Sequence, residues 1–251
     1  MEPVYDTVIA TARLLWFAEG LKFEVSGVDN VPDRGPGVVA LNHTGYLDFT
    51  YAGIPAFLKK RKVRFMAKKE VFDNKISGPI MRALKHIPVD RANGAQSYHD
   101  AVDYLKRGEL VGVYPEATIS RSFELKEFKT GAARMALEAD APIIPTVIWG
   151  AQRVWTKGHP KQLGRTGYKI MVGVAEPIKP VGDAEAITAR LHKVMEEKLL
   201  ELQDAYGEHP QGEFWVPARL GGSAPTLEEA NRMDAEEQAA KAAKRAERSA
   251  E

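Results

Sequence analysis

Short apolar runs rich in Val and Ile alternate along this chain with longer stretches whose apolar residues recur at helical spacing. Few architectures accommodate that alternation. A continuous run such as Val38–Leu41 has no polar side to offer to water, so it needs cover on both faces. Amphipathic helices between successive runs supply the cover. The runs are Phe23–Val28, Gly37–Leu41, Val63–Ala67, His86–Val89, Leu110–Tyr114, Pro142–Ile148 and Tyr168–Val174. Helices are predicted over Leu47–Lys60, Ile76–Lys85, Ala95–Arg107, Thr130–Ala139 and Asp183–Tyr206. The last of these carries Ile187, Leu191, Val194, Met195 and Leu202 on one stripe. The expected fold class is α/β: a single domain with a largely parallel or mixed sheet of about seven strands, flanked by helices.

At 251 residues the chain accommodates one such domain with appendages. Residues 1–22 read as an N-terminal amphipathic helical segment, 23–220 as the α/β domain and 221–251 as a charged, Ala-rich tail. In the first segment Val8, Leu15 and Phe23 fall near one side, with Trp16 and Phe17 beside them. Such a helix can lie among lipid headgroups or pack on the protein's own core, and the sequence leaves both open. Past Gly221-Gly222-Ser223, Thr226-x-x-Glu229 has the form of a capping box ahead of an Ala/Glu/Lys/Arg run. That tail is expected to be a polar helix or partly disordered, with no chemistry of its own. Arg13, Glu19 and Lys22 interrupt the most apolar segment, so no membrane-spanning helix is expected. No secretory leader is read at the N-terminus. The formal net charge of +1 gives no global basis for nucleic-acid binding. The absence of cysteine excludes disulfides, thiolate metal sites and a cysteine nucleophile. No His/Asp/Glu spacing resembles a metal site, so none is expected.

The chemistry concentrates where the second run ends, in Val38-Val39-Ala40-Leu41-Asn42-His43-Thr44-Gly45-Tyr46-Leu47-Asp48. A buried strand there delivers a histidine to its carboxyl end, the edge at which open α/β sheets place ligands. Gly45 permits a tight turn, and a helix should start near Tyr46. Asp48 could fold back within that turn and bind one imidazole nitrogen, which leaves the other free as a base. Such a base can take a proton from a substrate hydroxyl as the oxygen attacks a carbonyl. No Gly-x-Ser-x-Gly elbow is present to supply an enzyme nucleophile. A lone His-x4-Asp pair is otherwise a common accident of sequence.

Four ordered blocks raise the pair above accident. Asn42-His43-x4-Asp48 resembles the first block of the glycerolipid acyltransferase family, which includes 1-acylglycerol-3-phosphate acyltransferases. Ala67-Lys68-Lys69-Glu70-Val71-Phe72 with Ile87-Pro88-Val89-Asp90-Arg91 resembles the lead-in and second block. Tyr114-Pro115-Glu116-Ala117-Thr118 resembles the third, usually Phe-Pro-Glu-Gly-Thr-Arg-Ser, and Ala141-Pro142-Ile143-Ile144-Pro145 the fourth. The resemblance covers residues 25–180. It implies that His43 is the general base and Asp48 its orienter. It also implies that Arg91, Glu116, Thr118 and the third-block arginine serve a glycerol-phosphate acceptor, with Asn42, Lys68, Lys69 and Pro145 in support. Two departures stand out. Ala117 occupies the usual glycine position, and the expectation is a backbone conformation that alanine readily adopts. The arginine is delayed to Arg121, which takes the phosphate role.

The activity implied is transfer of a fatty acyl group from acyl-CoA or acyl carrier protein, as co-substrate, to a hydroxyl of 1-acylglycerol-3-phosphate. No cofactor and no nucleic-acid partner are implied. The implied setting is the cytoplasmic face of a membrane, with peripheral association. Glycerol-3-phosphate, another lysolipid or a glycolipid is the alternative acceptor. Thioester hydrolysis and non-catalytic lipid binding are the rival classes. Basic residues suited to phosphate and anionic lipid cluster at Lys59, Lys60, Arg61, Lys62, Arg64, Lys68 and Lys69. His86 reads as a packed strand residue, and the remaining histidines as surface or structural.

Overall fold

A computed structural model describes residues 2–90 and 94–250. In chain order the elements are α1 (Pro3–Ala18), β1 (Lys22–Ser26), β2 (Gly37–Leu41), α2 (Asp48–Leu58), β3 (Val63–Lys68), α3 (Lys69–Asp73), α4 (Ser77–Ala83), β4 (Ile87–Val89), α5 (Gly94–Lys106), β5 (Leu110–Val113), α6 (Gly131–Ala139), β6 (Ile143–Trp149), β7 (Lys169–Val174), α7 (Ala184–Tyr206) and α8 (Leu227–Ala250). The chain divides into two compact units. The first comprises the chain up to Ile119 together with Glu127–Gly207, and the second Ser120–Lys126 together with the chain from Glu208.

The first unit holds a seven-stranded mixed sheet in the order β1-β7-β6-β2-β5-β3-β4. Strands β6, β2, β5, β3 and β4 run parallel, and β7 turns antiparallel to β6 and pairs in parallel with β1. All five residues of β2 are buried, because it lies between β5 and β6 with both ladders filled. Alternate residues fill one core: Val39 and Leu41 of β2, Ile144 and Ile148 of β6, and Val172 of β7 pack with Tyr51, Ala52 and Ala56 of α2. Helices α5, α6 and α7 pack side by side and against the strands.

Element ends follow local chemistry. The first run was expected to extend to Val28, but β1 stops at Ser26. Gly27 takes φ 69°, and a Cβ there would lie 1.9 Å from the carbonyl oxygen of Val174. The N-terminal helix ends at Ala18, before Gly20 at φ 70°, so Phe23 belongs to β1 instead of the helix. Trp16 packs on Phe23 and Tyr51 at ring distances of 4.9 and 5.6 Å, while Leu14, Leu15 and Phe17 face outward. The short α3 was not anticipated. Its five residues carry too little periodicity to register in sequence.

Two arginines of the basic cluster serve the scaffold. Arg61 donates to the carbonyls of Pro32, Gly35 and Gly108 at 2.8 Å each. Arg64, 2 % exposed, donates to both carboxylate oxygens of Glu2 at 2.8 and 2.7 Å, and to Glu109 at 3.3 Å. A guanidinium this buried needs its charge paired, so Glu2 ties the start of α1 to the middle of β3. The Arg64 hydrogen bonds, assisted by Lys85, hold the Glu2 carboxyl down at about 2. That depressed value means the stabilisation is complete above the ordinary carboxyl range and is lost as pH falls toward 2. Glu2→Gln should therefore cost roughly 1 kcal/mol at neutral pH, discounted for the solvent near Glu2. Urea unfolding at pH 7 and again near pH 3 should find the gap between variant and native protein narrowing at the lower pH.

Candidate active site

At the end of β2 the main chain must leave the sheet without leaving its neighbour's polar groups bare. Asn42 solves this with its side-chain amide. Its Nδ2 donates to Ile148 O at 3.0 Å, and its Oδ1 accepts from Ile148 N–H at 2.8 Å. The side chain thus continues the β2–β6 ladder in place of backbone, as only an amide with both donor and acceptor can. The next residue, His43, is released at the carboxyl edge of the parallel strands.

His43 is fixed from three directions. Its backbone N–H donates to Glu116 Oε1 at 2.8 Å. Its Nδ1 stands 3.1 Å from Asp48 Oδ2. Its ring stacks on Tyr114, with centroids 4.0 Å apart and planes 23° from parallel. Asp48 is fully buried and is the first residue of α2. The same Oδ2 also accepts the backbone N–H groups of Thr44 at 2.7 Å and Gly45 at 2.8 Å. Two backbone amides and the N-terminus of α2 thus point their positive ends at this side chain. A carboxylate only accepts, so Nδ1 carries the proton and Nε2 is left with its lone pair. The arrangement can accept a proton at Nε2 and stabilise the resulting imidazolium.

Gly45 is required by space. A Cβ there would lie 2.9 Å from Trp155 O and 3.2 Å from Asp48 Oδ1. The loop after β6 grips the turn from outside: Tyr46 N–H donates to Trp155 O at 3.0 Å, and Thr156 Oγ1 donates to Thr44 O at 2.6 Å. Helix α2 begins at Asp48, one residue after the predicted Leu47, and the Asp48 side chain folds back over the preceding amides.

The other sequence candidates are placed as follows. Glu116 is 4 % exposed and engaged with His43. Thr118 is partly buried in the loop after β5. Lys68 ends β3 and Lys69 opens α3, where it pairs with Asp90 at 3.1 Å. Pro145 is buried in β6, opposite Ala40, and accepts the Ala175 N–H at 2.9 Å. Arg91 lies outside the described residues. Arg121 belongs to the second unit, where it pairs with Asp234 at 3.2 Å and Glu237 at 2.9 Å, both on α8. The polar tail helix therefore does engage a block residue, contrary to a purely solvated reading. The Thr226–Glu229 capping box is formed at its start. His86 is buried and accepts Phe65 N–H at Nδ1, and burial pushes it down to about 4.

The sequence gives Tyr114 a place as the first residue of the third block but no role of its own, reads Trp155 as acyl-tunnel lining, lipid contact or core, and does not single out Thr156. Trp155 and Thr156 are brought in by the path of the loop after β6, for which the sequence carries no motif. One expectation is overturned: Ala117 does not adopt an ordinary alanine conformation but sits at φ 60°. It closes a turn in which its N–H donates to Tyr114 O at 3.1 Å. A side chain in that region costs about 1–2 kcal/mol. Ala117→Gly should raise stability by about 1 kcal/mol net of the extra unfolded-state entropy, measurable as a shifted urea midpoint.

Comparison with known proteins matches this geometry to a family. The sequence profile of the family described as Acyltransferase covers residues 22–149, from β1 through β6. A 1-acyl-sn-glycerol-3-phosphate acyltransferase of Bacillus subtilis (strain 168) is 31% identical over 156 residues, spanning 62% of this chain and 73% of that protein. A probable enzyme of the same name from Mycoplasma pneumoniae is 31% identical over 192 residues, with 70% and 69% covered. The crystal structure of the 1-acyl-sn-glycerophosphate acyltransferase PlsC from Thermotoga maritima shares the fold at a TM-score of 0.63 and 23% identity, over 80% of this chain and 78% of that one. The profile match takes in His43, Asp48 and Glu116 together with six of the seven strands, and on that ground the chain belongs to the Acyltransferase family.

Proposed function

We propose that this enzyme moves a fatty acyl group from an acyl thioester to the free hydroxyl of 1-acylglycerol-3-phosphate at a membrane surface. The observation that carries the reading is the His43 Nδ1–Asp48 Oδ2 contact of 3.1 Å, which leaves Nε2 as a proton acceptor at the strand edge. The relatives named for this acceptor support the choice of substrate.

In the proposed reaction the acceptor hydroxyl lies against Nε2. As its oxygen attacks the thioester carbonyl, the O–H proton passes to Nε2, and Asp48 stabilises the imidazolium. The tetrahedral adduct then collapses. The C–S bond breaks, an ester C–O bond remains, and the departing thiolate of CoA or carrier protein takes the proton. Glu116 holds the main chain of the base, and the family resemblance adds an acceptor contact. Parallel strands lie ~4.8 Å apart, so the ends of β3 and β4 stand roughly 10–15 Å from that of β2. Lys68 and Lys69, where β3 ends, are basic groups we assign to the acceptor's phosphate, and the family resemblance adds Arg91 and Arg121 as candidates.

The acyl chain is assigned to an apolar groove of about 370 Å³ lined by Trp16, Phe23, Phe49, Ile54 and Phe57. It lies along α2, the helix that begins at Asp48. Among the described residues no helix is long and apolar enough to cross a membrane. Peripheral docking is assigned to the outward Leu14, Leu15 and Phe17 of α1, which would sit at the headgroup boundary.

Two expectations follow. His43→Ala should stay folded and lose about 10²- to 10⁴-fold in thiol release from acyl-CoA, followed with a thiol-reactive dye. Near-native turnover, or free fatty acid produced at the same rate without acceptor, would replace transfer by another chemistry. Arg91→Ala should raise the KM for 1-acylglycerol-3-phosphate about tenfold or more with the donor KM unchanged, since a charged hydrogen bond contributes roughly 1.5–3 kcal/mol. Running Arg121→Ala and a panel of acceptors beside it decides which arginine reads the phosphate and which lipid is preferred.

A further inference from the structure

Tyr114 stacks on His43, a contact that the acid–base chemistry of a hydrogen-bonded imidazole does not itself require. Asp48 fixes one nitrogen of the imidazole, yet one hydrogen bond leaves the ring free to rock about it. The observed contact removes that freedom. At 4.0 Å and 23° the two rings stack face to face. Tyr114 is itself held in place, because its ring packs against the main core. Burial first, and then the Asp48 charge, push the phenol well above its ordinary range, so it stays neutral. This core-packed side chain thus braces the imidazole from its face.

Resting on the reading of His43 as the base, we propose that Tyr114 is a positioning residue for acyl transfer: its ring holds the imidazole in the plane that aims Nε2 at the acceptor. The stack has a second consequence. An electron-rich ring face this close favours the imidazolium that forms when the hydroxyl proton is taken. The help comes in the transition state more than in substrate binding, so it belongs in kcat and not in KM. Loss of about 1 Å of positioning at a reacting centre can cost on the order of 10²-fold.

The test pairs Tyr114→Leu, which keeps apolar bulk and loses the stack, with Tyr114→Phe, which keeps the stack and loses the hydroxyl. Both are examined in the full chain. Steady-state kinetics with acyl-CoA and 1-acylglycerol-3-phosphate should find kcat of the Leu variant down about tenfold or more, with both KM values within about twofold. The Phe variant should recover kcat to within about threefold of the native enzyme, since the ring geometry survives. Imidazole ¹H–¹⁵N correlation spectra, with the His43 signals assigned by their loss in His43→Ala, should report an Nδ1–H tautomer in native and Phe proteins. In the Leu variant they should average toward a mixture. A Leu variant with native kcat and a native tautomer signature would overturn the proposal. So would a Phe variant as impaired as Leu. Should the native enzyme not use 1-acylglycerol-3-phosphate at all, the acceptor assignment fails, and the imidazole spectra alone decide the role of Tyr114.

Discussion

A single carboxylate oxygen organises the site. Asp48 Oδ2 receives the backbone N–H groups of Thr44 and Gly45 and faces the imidazole nitrogen of His43. Those three contacts close the six-residue turn His43–Asp48 on itself. They set where α2 begins, which way the histidine ring faces and which nitrogen holds the proton. The carboxylate is fully buried, a costly place for a charge. Two amide donors, the N-terminus of α2 and the imidazole offset that cost. Substituting Asp48 would thus undo the turn, the helix start and the tautomer together.

The turn can be this demanding because the strand before it is paired on both sides. β2 sits mid-sheet with both ladders occupied, and Asn42 extends one of them by a side chain. The neighbouring strand β5 then delivers Tyr114 and Glu116 to the same edge, one against the face of the imidazole and the other against its main chain. Strain is tolerated next to this assembly. Ala117 is held at φ 60° in the turn that follows Glu116. The Pro115 carbonyl of that turn also accepts Lys129 N–H at 2.9 Å, which ties the turn to the chain just before α6.

The second unit has a polar logic of its own. Asp234 of α8, 3 % exposed, meets both Arg121 and Lys126, and Arg219 pairs with Glu124 at 3.1 Å. An Ala-rich helix with weak apolar character is held here by charge pairs that are partly desolvated, where each pair is worth more than on an open surface. This explains why a tail whose composition suggested a solvated appendage has a fixed place against the segment around Arg121.

Local sequence determined a good deal. β-branched runs of four to seven residues can only be strands buried on two faces, so β2, β5 and β6 and the α/β class were legible from periodicity. Asp48 was legible as a partner of His43 because the contact spans only five residues, within reach of one turn. What the residues could not announce is whatever arrives from far along the chain. The Tyr114 ring lies 71 positions from His43, and the Trp155 carbonyl that excludes a side chain at Gly45 lies 110 positions away. The burial of Arg64 is likewise created by Glu2 and Glu109, and a lone arginine in a basic run gives no hint of it. Short-range hydrogen bonding and periodicity are written in neighbouring residues. The faces, carbonyls and counter-charges that fix a ring or bury an ion exist only once the sheet has set its strand order.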